Sequence, residues 1–176
     1  AYPLFCGDEY FRAIEKSSQL NFVVADVSVL TNDFISKIKS DKNVVLILDS
    51  FNTHTMPELR SMAIALKQHG CELPLIYKVN YKDLNESQFQ LYCSTDLGGL
   101  LLDGFGDGIW IKQQNCVSPR ICNSTAFGVL QATRTRISKT EYISCPSCGR
   151  TLFDLQETTQ KIRERTDHLK GVKIGI

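Results

Sequence analysis

The chain has 176 residues, 43% of them hydrophobic, and its 20 basic and 19 acidic side chains leave a formal charge of +1. That length suits one ordinary domain, or one plus part of a second, with enough apolar material for a buried core. The balanced charge gives no footing for a general nucleic-acid or anionic-membrane binder. No apolar run approaches the roughly 20 residues of a membrane helix, and no signal-peptide pattern is visible.

Asp8 is placed to cap a first helix in which Tyr10, Phe11 and Ile14 share a face. Residues 21–29 are rich in β-branched side chains and read as a strand. Thr31 caps a short helix to about Ser40 with Phe34, Ile35 and Ile38 inward. Val44–Leu48 is a continuous apolar run, the pattern of a parallel strand covered on both faces. Thr55-Met56-Pro57-Glu58 has the form of a capping box, opening a helix with Leu59, Met62, Ala63 and Leu66 on one face and Gly70 as its stop. Leu73–Val79 is the next strand, and residues 85–95 a helix with Phe89, Tyr92 and Cys93 inward.

Gly99–Leu102 reads as another buried strand, with Gly108–Ile111 following closely. Between them, the glycines and aspartates of residues 103–108 offer two readings. One is an anion cradle at the carboxyl ends of strands; the other, favoured by the two aspartates, is simple turn chemistry. Residues 112–121 read as an irregular connection, after which Asn123 caps a helix to about Arg136. Arg134, Arg136 and Lys139 form a small basic cluster, either a solvated helix end or a contact for a diphosphate or an acidic electron donor. Residues 141–144 are a strand, Asp154 caps a helix carrying Leu155, Ile162 and Leu169, and Val172–Ile174 begins a last strand. Repeated strand-then-helix order with buried strands predicts α/β architecture around a parallel sheet, either part of a barrel or an open doubly wound sheet.

Seven cysteines at irregular spacing argue against a secreted disulfide framework. Cys71 and Cys93 sit in apolar patterns and read as plain buried thiols. Cys145 and Cys148 are different, because Ser144-Cys145-Pro146-Ser147-Cys148-Gly149-Arg150 falls between a strand and a helix. A C-x-x-C at such a junction sets two thiolates close together, as a metal site or a redox dithiol requires. With Cys116 and Cys122 the pair makes a candidate four-cysteine zinc site. Asp26, Asp49 and His54 fall at the carboxyl ends of strands, where α/β folds place ligand-binding groups. His69 and His168 lie at helix ends, where the dipole accounts for them.

The run around the two cysteines, Ser-Cys-Pro-Ser-Cys-Gly-Arg-Thr-Leu-Phe-Asp-Leu-Gln-Glu, closely resembles the cluster-binding segment of the hydroxymethylbutenyl diphosphate synthases (the GcpE or IspG family). The resemblance extends from about Thr125 to the end, through Thr135-Arg136-Ile137-Ser138-Lys139-Thr140-Glu141-Tyr142. The earlier part resembles, less sharply, the extra domain of the large plant-like and bacterial forms. The fold implied is a partial TIM-barrel-like parallel α/β domain over residues 1–137. The start of a second α/β domain, truncated here, follows over 138–176 and carries the iron–sulfur site.

The resemblance implies that Cys145 and Cys148 are two ligands of a 4Fe-4S cluster. The third cysteine and a glutamate belong to a segment resembling M-G-C-x-V-N-G-P-G-E, which would follow Ile176. The chain is therefore expected to be a fragment, inactive alone. The implied activity is reductive ring opening of methylerythritol cyclodiphosphate, a diphosphate substrate, to hydroxymethylbutenyl diphosphate in non-mevalonate isoprenoid synthesis. Ferredoxin or flavodoxin would be the electron donor. The setting would be the bacterial cytoplasm or the plastid stroma, and a homodimer stays open. The alternatives are that residues 1–137 form a non-catalytic spacer, or that the C-x-x-C is a zinc or dithiol module.

Overall fold

A computed structural model describes residues 1–143 and 152–175. The chain divides into two compact units, Ala1–Thr135 and Arg136–Ile176.

The first unit is built on a five-stranded, all-parallel sheet: β1 (Leu4–Cys6), β2 (Asn21–Ala25), β3 (Val44–Asp49), β4 (Leu75–Lys82) and β5 (Gly108–Gln114). The strands lie side by side in chain order. The helices are α1 (Glu9–Arg12), α2 (Asn32–Ile38), α3 (Thr55–Gln68), α4 (Glu86–Asp96), α5 (Gly98–Leu102) and α6 (Pro119–Ala132).

All six helices contribute to one core. Phe34, Ile35 and Ile38 of α2, Leu59, Met62 and Leu66 of α3, Phe89 and Cys93 of α4, and Leu100 of α5 meet Val23, Leu46, Leu48, Tyr77 and Val79 from alternate sheet positions. Tyr10 of α1 and Val129 of α6 complete that cluster. Strand side chains alternate between faces, so Phe22, Val24, Val45, Ile47 and Ile76 belong to the opposite face. Consecutive strands that stay neighbours, with every helix on one face, are singly wound like a barrel wall. A doubly wound sheet would reverse its order and place helices on both faces. The architecture is α/β and consistent with part of a TIM barrel.

Several local expectations hold for the reasons given. The Thr31 hydroxyl accepts from Phe34 N at 3.2 Å and caps α2. Gly70 ends α3 at φ +65°, a left-handed position that glycine occupies without penalty. Asn85 and Gln88 form a reciprocal capping box on α4.

Others are corrected. Gly99–Leu102 is not a strand but lies within helix α5. A short apolar run carries no period of its own, and here the Leu97 N–H donates to the Cys93 carbonyl at 3.2 Å while the Leu97 carbonyl accepts from Leu101 N at 3.1 Å, continuing the helical bonding from α4. The cap of α6 is Ser118 rather than Asn123: its side chain accepts from Ile121 N and Pro119 occupies the first turn. The box at Thr55 does not form. His54 is the N-cap without a side-chain bond, and Glu58 instead accepts from the Ser50 hydroxyl. Strand β2 stops at Ala25 because Asp26 folds back on the chain, its Oδ1 accepting from Ser28 N at 2.8 Å and Val29 N at 3.1 Å. Helix α1 is a single turn, leaving Ile14 fully exposed, and Tyr92 of α4 points outward rather than in. Strand β1 was not read from the sequence.

The second unit holds β6 (Glu141–Ile143), α7 (Leu155–Thr166) and β7 (Lys173–Gly175). β6 and β7 pair in parallel, with Ile143 opposite Gly175. The Asp154 side chain caps α7 by accepting from Glu157 N at 2.9 Å. Tyr142 and Thr166 share a hydroxyl–hydroxyl bond of 2.8 Å, and Arg163 lies over the Tyr142 ring at 5.1 Å.

Candidate functional site

The strand–helix junction of the second unit is the first candidate. Cys145 and Cys148 lie outside the described residues, so the structure speaks only of what flanks them. Strand β6 ends at Ile143, and α7 starts after its cap Asp154. A βαβ unit with parallel strands brings the carboxyl ends of both strands to one side, so Ile143 and Gly175 leave the sheet together.

The carboxyl ends of β1–β5 form the second candidate. There a cleft of about 460 Å³ is lined by residues from all five strands or the turns that follow them, including Asp26, Asp49, Lys78 and Trp110. The structure thus brings Asp26 and Asp49 together, as expected from their places at strand ends.

Asp49 is 2% exposed. Its Oδ2 is ion-paired with the Lys78 ammonium, and its Oδ1 accepts from Asn80 Nδ2 at 3.1 Å. Lys78 lies 5.3 Å from the centroid of the Trp110 ring. Asp26 is held below the ordinary carboxylate range, chiefly by the hydrogen bond from the Ser28 hydroxyl and by the backbone N–H groups of Val29 and Ser28, against an opposing effect of burial.

His54 goes elsewhere. It lines a separate cleft of about 610 Å³ with Asn52, Asn80, Lys82 and Asp96. Tyr81 donates to Asp96 Oδ2 at 2.9 Å there, and burial raises the Asp96 pKa while the Tyr81 bond opposes that.

The glycine-rich loop 103–108 is turn structure. Because α5 replaces the expected strand, the loop precedes β5 and lies at the amino end of that strand. Asp107 bonds Leu75 through both its backbone N–H and its side chain, and Asp103 pairs with Arg60 at 2.5 Å. Gly104 and Gly106 take φ +77° and +83°. Its aspartates are therefore engaged in holding the turn.

Cys116 and Cys122 pack against the core cluster that contains Cys93. Burial raises the Cys93 thiol to about 12 and also raises Cys122, which disfavours the reactive thiolate at both. No group of three or more potential metal ligands occurs among the described residues.

Sequence reasoning missed Lys78 and Trp110. The available signal was a lone lysine inside the apolar run Leu73–Val79, since an isolated charge in a buried strand requires a partner.

No protein-family model matches the chain. Among curated proteins it is 42% identical over all 176 residues to a Parabacteroides distasonis protein named 4-hydroxy-3-methylbut-2-en-1-yl diphosphate synthase (flavodoxin). Proteins of the same name from Phocaeicola vulgatus and Porphyromonas gingivalis are 38% identical over 99% of the chain and 45% identical over 84% of it. Along its length the chain is homologous to part of these synthases. It spans 25–29% of the length of these three relatives. The matches give no support to the zinc, dithiol or spacer alternatives.

Proposed function

We infer that the chain is part of a synthase that reductively opens methylerythritol cyclodiphosphate to hydroxymethylbutenyl diphosphate in non-mevalonate isoprenoid synthesis. The observation that carries this reading is identity of 42% along the entire chain to a synthase of that name. Flavodoxin is the electron donor in this reading, following the relatives' names. No helix among the described residues is long and apolar enough to cross a membrane, and the reading places the enzyme in the bacterial cytoplasm.

Cys145 and Cys148 are the residues of this chain that would hold a 4Fe-4S cluster. The chemistry of the donor set fits: two thiols at C-x-x-C spacing suit iron, and Gly149 beside them permits close backbone approach. When bound, such a cluster supplies single electrons and an iron able to take a substrate oxygen. The chain's own contribution is positional. The parallel β6–β7 pair sets Ile143, two residues before Cys145 in the chain, level with Gly175. In this reading residues 1–137 are the extra barrel-like domain and 138–176 the beginning of the cluster domain.

The test is anaerobic reconstitution of the full-length synthase that carries this segment, followed by iron, sulfide and zinc analysis. Iron and sulfide are expected in the parent protein and lost from Cys145→Ser and Cys148→Ser. Zinc without iron would overturn the assignment.

A further inference from the structure

The inner face of the five-stranded sheet is layered. Strand pairing sets Asp49 level with Lys78, and Lys78 level with Trp110. Two residues toward the amino ends, the matching row is Val24, Ile47, Ile76 and Gly108. The row below that pairs Phe22 with Val45. Polar groups thus begin at the level where β3 ends, and β4 and β5 carry them on as Asn80 opposite Lys112 and Lys82 opposite Gln114, above an apolar floor. In a barrel wall the lower layers serve packing and the carboxyl end serves ligands.

Packing does not require the charged layer. A buried ion pair contributes little net stability compared with apolar side chains of the same volume, and the layer beneath it is made of such side chains. The hydrogen-bonding capacity left over shows what the layer can bind. Asp49 has both oxygens engaged, whereas Lys78 uses one of its three donors on Asp49. Every bond to the Asp26 carboxylate falls on Oδ1, which leaves Oδ2 as an acceptor. Trp110 adds a flat aromatic surface at the same level, 37% exposed.

Donors and acceptors side by side next to an aromatic face match a group that both donates and accepts, the hydroxyl, on a body with an apolar side. The charges facing the cleft are four carboxylates, Asp8, Glu9, Asp26 and Asp49, against Arg12 and Lys78. That balance opposes an anion. The saturated Asp49 and the two cations oppose a metal ion. The volume of about 460 Å³ is that of a small-molecule site.

We propose that the carboxyl-end cleft of the first unit binds a small neutral polyhydroxy compound, a monosaccharide or its alditol, with Asp26, Lys78 and Trp110 contacting it and Asp49 positioning Lys78.

Trp110 is the single tryptophan, so its emission reports directly on the cleft. The chain is titrated with D-glucose, D-ribose and ribitol, and separately with inorganic phosphate and choline. The expected result is a saturable emission change with at least one neutral probe, at a dissociation constant on the order of 1 mM. The double variant Asp49→Leu/Lys78→Met keeps volume without charge, and in it the response should weaken by roughly tenfold or more, about 1.4 kcal/mol. Amide chemical-shift mapping of the unaltered chain serves as a second readout, with shifts expected at Asp49, Lys78 and Trp110 and not on α6. The proposal is overturned by saturation with phosphate or choline alone, by no response to any of the three neutral probes, by unchanged affinity in a folded double variant, or by shifts confined to other residues.

Discussion

The two units spend their apolar residues differently. In the first, α3 buries Leu59, Met62, Ala63 and Leu66 completely against the sheet, and every helix adds to the same cluster. In the second, α7 has no fully buried side chain, and the sheet beside it has two strands of three residues each. Both helices have sound local chemistry. Asp154 caps α7 with a bond that the N-cap of α3 lacks. Capping contributes about 1 kcal/mol, whereas a buried leucine contributes several times that. The difference teaches that local signals set where an element begins, while burial sets how firmly it is held.

The largest effect that would sharpen this contrast is at Asp49. Asp49→Ala leaves Lys78 nearly buried without its partner and should cost about 3–5 kcal/mol in urea unfolding. The Asp49→Leu/Lys78→Met pair should recover much of that loss. Leu48→Ala, at a fully buried core position, should cost about 2–5 kcal/mol. Ile162→Ala, on the half-buried face of α7, should fall below about 1 kcal/mol. Equal losses at Leu48 and Ile162 would break the comparison between the units.

A smaller effect tests the turn before β5. A methyl group at Gly106 would meet the Tyr77 ring at 2.4 Å, while Gly104 has nothing within 4 Å, and both have positive φ. Gly106→Ala should therefore lower the thermal midpoint well beyond Gly104→Ala, which pays only the left-handed penalty of about 1–2 kcal/mol. Identical midpoints would mean that the loop does not rest on Tyr77.

The smallest effects are in pH dependence and have opposite signs. Asp26 has a folded pKa below its ordinary 3.8, so its contribution is present above that value and lost as pH falls through the folded one. Asp26→Asn should flatten the acid limb of stability, measured as the urea midpoint at neutral pH against pH about 3. Asp96 has a raised folded pKa, so its contribution is present below 3.8 and lost as pH rises through the folded value. Asp96→Asn should therefore steepen the acid loss slightly rather than relieve it.

Much of the first unit was legible because its strands are apolar runs bounded by good stop signals. The run Val44–Leu48, the cap at Thr31 and the stop at Gly70 are local facts with local causes. Gly99–Leu102 was not legible, since a short apolar run packs equally well as strand or helix until its neighbours choose. Asp26 and Asp49 were found by their place at strand ends, and parallel pairing delivers those ends to one side. Their cleft partners were not found, because Lys78 is 29 residues from Asp49 and meets it only through register. His54 shared the same signal and landed in a different cleft.

What the sequence by itself determined is the α/β alternation, most helix limits and the likeness to the synthases. These depend on contacts within a few residues or on a contiguous motif. Tertiary structure alone decided that the six helices of the first unit lie on one face of its sheet, that α5 is a helix, and that Asp49, Lys78 and Trp110 line up across β3, β4 and β5 above an apolar floor. Those outcomes depend on which strand lies beside which, and pairing register is fixed only when the whole sheet closes over its core.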